Sequence, residues 1–139
     1  MATRTSVMIV DDFEPWRSFV SDTLLKEPNL QIVSEVADAV EAIGEANKIQ
    51  PNLILLDIGL PSLNGIEAAH QIRQIAPGSR ILFLSEQSDP DVVMAALDAG
   101  GAGYVLKSDA GDELLTGITA VFRGDQFLSS SLKSDEPSR

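Results

Sequence analysis

The sequence predicts an α/β fold in which a parallel sheet is covered by helices on both faces. Five short apolar runs rich in Ile, Leu and Val lack the polar alternation of half-exposed strands. Segments of helical length and helical periodicity lie between them, and the two kinds of element alternate strictly from one end to the other. Strict alternation of this kind implies right-handed β-α-β crossovers and a buried parallel sheet.

The first run, residues 6–10, ends at the acid pair Asp11-Asp12. Pro15 follows near a helix start, where its missing N–H costs nothing, and Trp16, Phe19, Val20 and Leu24 are expected on the inner face. After the run at 31–36, a helix over about 39–48 is expected to direct Val40, Ile43 and Ala46 inward. The run at 53–56 ends at Asp57, and the next helix starts near Asn64-Gly65 and carries Ile66, Ala69, Ile72 and Arg73. The run at 80–84 leads into Ser85. Asp89-Pro90 then signals a helix repeating Val92, Val93, Ala96 and Leu97. The last run, 103–106, ends at Lys107, and Leu114, Leu115, Ile118, Val121 and Phe122 form the apolar stripe of the closing helix. Beyond Gly124 the pattern fades. Phe127 and Leu128 retain the capacity to pack, but residues 125–139 read as a solvated C-terminal tail or truncated linker.

Composition narrows the function classes. A chain of 139 residues with 44% hydrophobic and 22% charged residues suits one folded domain with a proper core. No apolar stretch approaches the ~18 residues of a membrane span, and no signal-peptide h-region follows Met1. Cysteine is absent, so disulfide and thiolate chemistry is excluded and a cytoplasmic setting is expected. A net charge of −11 repels phosphate backbones and anionic membranes, so no direct nucleic-acid binding is expected and the partners should be proteins.

The chemistry gathers at the strand ends. In an open parallel sheet ligands bind beyond the carboxyl ends of the strands, where Asp11, Asp12, Asp57, Ser85 and Lys107 all fall. Clustered acids repel one another, and a fold that gathers them implies a cation or a reaction. Asp57 is placed to attack a phosphoryl donor and become an acyl phosphate. Both reactants are anionic, so the step calls for a magnesium ion held by Asp12, Asp57 and a backbone carbonyl, with Asp11 acting directly or through water. Lys107 supplies a point charge and Ser85 a hydroxyl donor for phosphoryl oxygens. Taken singly, each residue has an ordinary reading: a capping turn for Asp11-Asp12, a loop cap for Asp57 and a turn hydroxyl for Ser85. Lys107 alone would be a solvated lysine and Tyr104 a core aromatic. Their coincidence at successive strand ends favours the joint reading.

The run Val10-Asp11-Asp12, the stretch from Leu56-Asp57 through Asn64-Gly65, Leu84-Ser85 and Gly103-Tyr104-Val105-Leu106-Lys107 resemble a response-regulator receiver domain over about residues 7–122. Gly59-Leu60-Pro61-Ser62-Leu63-Asn64-Gly65, Lys107-Ser108-Asp109-Ala110 and Phe127-Leu128-Ser129 are similar to receivers of the NarL/FixJ type, in which a helix-turn-helix DNA-binding domain follows.

The resemblance implies a CheY-like, flavodoxin-like (βα)5 fold with a five-stranded parallel sheet. Helices 1 and 5 would cover one face and helices 2, 3 and 4 the other. Residues 1–124 would form the receiver. It implies phosphorylation of Asp57 by a sensor histidine kinase, with Mg2+ on Asp11, Asp12, Asp57 and the Gly59 carbonyl, and later hydrolysis of the phosphoryl group. Ser85 and Tyr104 match the paired switch positions that remodel the face formed by helix 4, strand 5 and helix 5. Such a protein is a phosphoacceptor switch, not an enzyme acting on other substrates. A homodimer formed on phosphorylation is among the partners it allows.

The departures carry meaning. Ser85 stands where threonine is commoner, Glu86 is an acid beside an anion-accepting site, and Gly59 offers no side chain to influence water attack. Ser108 replaces a common proline. A cis bond without proline costs about 3 kcal/mol, so a trans Lys107–Ser108 peptide is expected.

Rival classes fit less well. Phosphatases with an aspartyl nucleophile want a second acid two residues on, where Gly59 stands. Gly100, Gly101 and Gly103 precede a strand and form no phosphate-binding loop, and His70 has no metal-ligand spacing. A phosphorylation-independent interaction module is disfavoured by the intact acid set and Lys107. Between a stand-alone receiver and the N-terminal part of a transcription regulator, the serine-rich tail favours the second.

Overall fold

The structure, a computed structural model, describes residues 4–133. The chain alternates β1 (Thr5–Val10), α1 (Glu14–Leu25), β2 (Leu30–Val36), α2 (Ala39–Ile49), β3 (Leu53–Leu56), α3 (Gly65–Ile75), β4 (Arg80–Ser85), α4 (Pro90–Asp98), β5 (Gly101–Leu106) and α5 (Ala110–Phe122). A short β6 (Phe127–Leu128) and a single turn, α6 (Ser130–Lys133), complete it. All strands are parallel, in the order β2-β1-β3-β4-β5-β6.

Local signals explain the helix starts. The Asp38 carboxylate accepts the Glu41 amide at α2, and the Asn64 side-chain oxygen Oδ1 accepts the Glu67 amide at α3. Asp89 accepts the Asp91 amide at α4, where Pro90 occupies the first helical position. Period-2 alternation splits each strand between two core layers. Met8, Val10, Ile54, Leu56, Phe83 and Tyr104 pack under α2, α3 and α4, whereas Val7, Ile9, Leu53, Leu55 and Val105 pack under α1 and α5. The helices divide between the faces as the resemblance implied.

Two inward assignments do not hold. Phe19 is 39% exposed and Val40 57% exposed. On α1 the buried pair is Val20 and Leu24, and Phe19, one residue round the helix, lies against Trp16 instead. On α2 the buried positions are Ala39, Ala42 and Ala46, small residues that let the helix approach the sheet closely. Val40 falls outside that stripe.

The expected five-stranded sheet has six strands. β6 pairs with β5, Gly103 opposite Phe127 and Tyr104 opposite Leu128. Two glycines make room for it. A Cβ on Gly103 would stand 2.8 Å from the Phe127 carbonyl oxygen, and one on Gly117 would stand 3.0 Å from the Phe127 ring. The chain after Gly124 is therefore not a solvated tail through Lys133; residues 134–139 lie outside the described residues. Ser129 is fully buried, its amide donating to the Tyr104 carbonyl at 3.0 Å and its hydroxyl accepting the Leu106 amide at 2.9 Å. The Ser130 amide donates to the Glu113 carboxylate, and Ser131 donates twice to the Asp109 carboxylate.

Ser129→Ala leaves the Leu106 amide buried without an acceptor, so a loss of about 1–3 kcal/mol in urea denaturation is expected. Unchanged stability would show that this contact does not hold β5.

Candidate functional site

β1 is the central partner of two strands, β2 on one side and β3 on the other, so the chain reverses its direction of winding between them. This is the switch point at which loops diverge and leave a cleft. Val10 stands opposite Leu56 in the ladder, and the Asp57 amide donates to the Val10 carbonyl at 3.1 Å. Asp11 and Asp57 therefore leave adjacent strand ends side by side, 2% and 8% exposed, while Asp12 is exposed at the mouth.

Backbone amides fix the two buried acids. Asp11 Oδ1 accepts the Phe13 amide at 2.9 Å, and Asp57 Oδ1 accepts its neighbour Ile58 at 2.8 Å. Their Oδ2 atoms share one cation. Lys107 Nζ lies 2.7 Å from Asp11 Oδ2 and 3.3 Å from Asp57 Oδ2. A cleft of about 250 Å³ opens beside them, lined by Asp12, Asp57, Gly59, Ser85, Glu86 and Lys107 together with Phe13 and Gln87.

Ser85, at the end of β4, is buried, and its hydroxyl accepts the Gln87 amide at 3.1 Å. Tyr104 lies one layer deeper. It is fully buried against Phe83, and its hydroxyl donates to the Gln87 carbonyl at 2.7 Å. Ser85 and Tyr104 thus hold the same loop residue from two sides.

Charge is tightly balanced here. Burial, the largest influence, and the Asp11 charge push the Asp57 carboxyl above the usual aspartate range, with the Lys107 charge pulling the other way. Burial would lower the Lys107 ammonium, but its hydrogen bond to Asp11 and the charges of both acids outweigh that and hold it above its usual range. A carboxyl raised on folding costs stability above its folded value, and the cost fades as pH falls toward 3.8. Asp57→Asn is therefore expected to melt a few degrees higher than the parent chain in metal-free neutral buffer, the gap closing on acidification. Equal melting temperatures at neutral pH would contradict the balance described.

Carboxylate oxygens of Asp11, Asp12 and Asp57 lie within 4.8 Å of one another. Three hard oxygen donors, one of them open to solvent, fit a small divalent cation that keeps part of its water. Every residue singled out from the sequence for this site is at the cleft or directly behind it, and His70 is exposed on α3, away from it. The described residues contain no cis peptide, so Lys107–Ser108 is trans as expected.

Sequence reading missed three supports. Gly65 packs so closely under Asp57 that a Cβ would stand 1.9 Å from the Asp57 carbonyl oxygen. Ser62, at φ +64°, donates to the Asp38 carboxylate at 2.6 Å and fastens the loop after β3 to α2. Ser129 clamps β5 just before Lys107. Only the Asn-Gly pair at 64–65 gave a local signal, and it spoke of a helix start alone.

A doubly wound sheet with acids, a hydroxyl and a lysine at its switch point defines a flavodoxin-like protein of the receiver class. The chain belongs to the response regulator receiver domain family, whose model matches residues 7–119. It is 31% identical over 125 residues to the transcriptional regulatory protein DegU of Brevibacillus brevis, covering 90% of this chain and 53% of that protein. It is 33% identical over 122 residues to the response regulator protein VraR of Staphylococcus aureus, covering 88% of this chain and 58% of that protein. The chain spans about half the length of the curated relatives it matches. Among solved structures, a LuxR-family two-component response regulator from Aurantimonas sp. SI85-9A1 superposes with a TM-score of 0.90 at 31% identity, covering 96% of this chain and 95% of that one. The receiver domain of the putative response regulator NarL from Mycobacterium tuberculosis superposes at 0.82 with 26% identity, covering 88% and 98%. No described helix is long and apolar enough to cross a membrane.

Proposed function

We propose that this domain accepts a phosphoryl group on Asp57 from a sensor histidine kinase and uses it to switch an output. The observation that carries the reading is the arrangement around Asp57: it lines the cleft, has Lys107 beside its Oδ2, and has its Oδ1 tied to a backbone amide. An oriented nucleophile with a cation in place meets the main demands of phosphoryl transfer, which are position and electrostatics.

In the proposed step Asp57 Oδ2 forms a bond to phosphorus as the bond from phosphorus to the donor breaks, the electron pair leaving with the donor. Lys107 moves its ammonium from the carboxylates to a phosphoryl oxygen. The Ser85 hydroxyl, an acceptor from Gln87, turns its proton toward another. Asp11, Asp12, Asp57 and the Gly59 carbonyl are the groups that would hold Mg2+, which when bound neutralises charge developing on the phosphoryl group. Later attack by water would release phosphate, so the domain catalyses only its own modification and its reversal.

Movement of Ser85 alters the Gln87 contact that Tyr104 also holds, which connects the site to β5 and the face formed by α4, β5 and α5. The similarity to a transcriptional regulatory protein and to a LuxR-family response regulator supports an output through a DNA-binding domain of a cytoplasmic transcription regulator, with dimerisation on phosphorylation as one route. DNA contact would belong to that domain, since this one carries a net charge of −11.

The test is intact mass after incubation with acetyl phosphate, with and without magnesium, on the parent chain and Asp57→Asn. One phosphoryl group gained only by the parent and only with magnesium is expected. Equal gain by both would move the site elsewhere. No gain under any condition, from acetyl phosphate or a kinase donor, would favour a phosphorylation-independent interaction module.

A further inference from the structure

Trp16, the only tryptophan of the chain, stands at the N-terminal end of α1, just after the acid pair and Pro15. Its indole is half-buried on the layer under α1 and α5 and lies against Phe19, with ring centroids 4.9 Å apart. Two details set it apart from an ordinary core aromatic. Its Nε1 is buried and finds no hydrogen-bond partner among the described residues, although a buried indole N–H usually has one. The orientation that leaves this donor unpaired puts the face of the ring 5.2 Å from Lys107 Nζ.

That ammonium is the one shared by Asp11 and Asp57. Lys107 carries its charge on a flexible four-carbon stem, and a point charge with rotatable donors is poorly positioned unless something limits its swing. The two carboxylates hold it by charge, and the face of the indole lies against it. The other cation–aromatic pairs among the described residues, Arg80 with Phe122 and Lys133 with Phe127, involve none of the residues at the cleft.

We propose that Trp16 is a positioning residue for Lys107: its indole face holds the ammonium at the phosphoryl site, ready to meet the incoming group. The inference rests on the phosphoacceptor reading of Asp57. Trp16 touches neither the cleft nor the transferred group; it acts only through the lysine.

The test is the initial rate of phosphoryl incorporation from acetyl phosphate with magnesium, followed by intact mass. The chains compared are the parent, Trp16→Leu and Trp16→Phe, with Trp16→Leu repeated in a Lys107→Ala background. Loss of a cation–aromatic contact at a desolvated site predicts a fall of about 3- to 10-fold in Trp16→Leu, with Trp16→Phe retaining most of the rate. In the Lys107→Ala background Trp16→Leu should change nothing further, because the group it positions is gone. A merely structural role would give the same fold-loss in both backgrounds, and that result overturns the proposal, as does a Trp16→Leu rate equal to the parent's.

Should Trp16→Leu fail to fold, the emission of Trp16 decides: it must differ between the parent and folded Lys107→Ala, and identical spectra overturn the proposal. A parent chain that gains no phosphoryl group fails at the earlier step and removes the reading on which the inference rests. A parent that gains it with Trp16 variants unaffected leaves that reading standing and removes only the inference.

Discussion

Gly65→Ala is expected to destabilise the domain by about 3 kcal/mol, at the upper end of the cost of overpacking. By helix propensity alone the substitution should help, since alanine in a helix is favoured over glycine by ~1 kcal/mol. The close approach decides the sign. The new Cβ would stand 1.9 Å from the Asp57 carbonyl oxygen and 2.9 Å from both the Asp57 carbonyl carbon and Ile58 Cα. These are backbone atoms of the loop that carries Asp57, held by the Gly65 amide to the Ile58 carbonyl at 2.8 Å, and they cannot rotate away as a side chain would. For a domain of this size the loss corresponds to a fall of roughly 10 °C in melting temperature. The same displacement would shift Asp57 relative to Lys107, so phosphoryl uptake should fall even where the variant remains folded. A melting temperature at or above the parent's would show that α3 can slide to make room.

Lys107→Ala is expected to cost about 3–5 kcal/mol in metal-free neutral buffer, because it leaves Asp11 and Asp57 buried together without their cation. The pH dependence has a defined sign. In the parent chain the ammonium, held above its usual range, contributes stability that is present below pH 10.5 and lost as pH rises through the folded value. In the variant the Asp57 carboxyl, raised by burial and no longer opposed by the Lys107 charge, binds a proton more readily folded than unfolded, so stability should rise on acidification from neutrality toward the carboxylate range. Magnesium should restore part of the loss by replacing the missing charge. Urea titrations at neutral and mildly acidic pH, each with and without magnesium, check all three statements. A variant as stable as the parent at neutral pH without metal would mean that the acids are solvated and do not share the lysine.

The same variant separates modification from response. Asp57 and the acids proposed to hold magnesium remain, so some phosphoryl incorporation from acetyl phosphate should persist. The lysine proposed to draw the end of β5 toward the phosphoryl group is gone, so amide exchange across α4 and β5 should no longer respond to incorporation. Parent-like protection changes would place the coupling in Ser85 and Tyr104 alone.

Much of this site was legible because its signals are local. An apolar run of four or five residues that ends in an acid, a serine or a lysine states both the strand and what stands at its end. Because all the strands run the same way, those ends converge on one edge. Asp11, Asp12, Asp57, Ser85 and Lys107 needed no more than that. Phe19 and Val40 were misplaced because an apolar stripe about 100° wide admits a neighbouring residue at either side, and only the contact with the sheet selects among them. The sixth strand escaped because Phe127-Leu128 is too short for periodicity to register, and its partners at Gly103 and Gly117 are distant in the chain.

The alternation of strands and helices, the parallel sheet and the side chains that stand at the strand ends were all readable from the sequence. Each follows from periodicity and residue chemistry along a few consecutive positions. Only the packed fold shows that Lys107 bridges Asp11 and Asp57, that Trp16 faces that ammonium, that Gly65 packs against the Asp57 carbonyl, and that Ser129 fastens the end of β5. These contacts join residues from different elements, up to 96 positions apart in the case of Lys107 and Asp11 (107 − 11). No local pattern encodes such distances; they are set by strand order, ladder register and how closely each helix approaches the sheet.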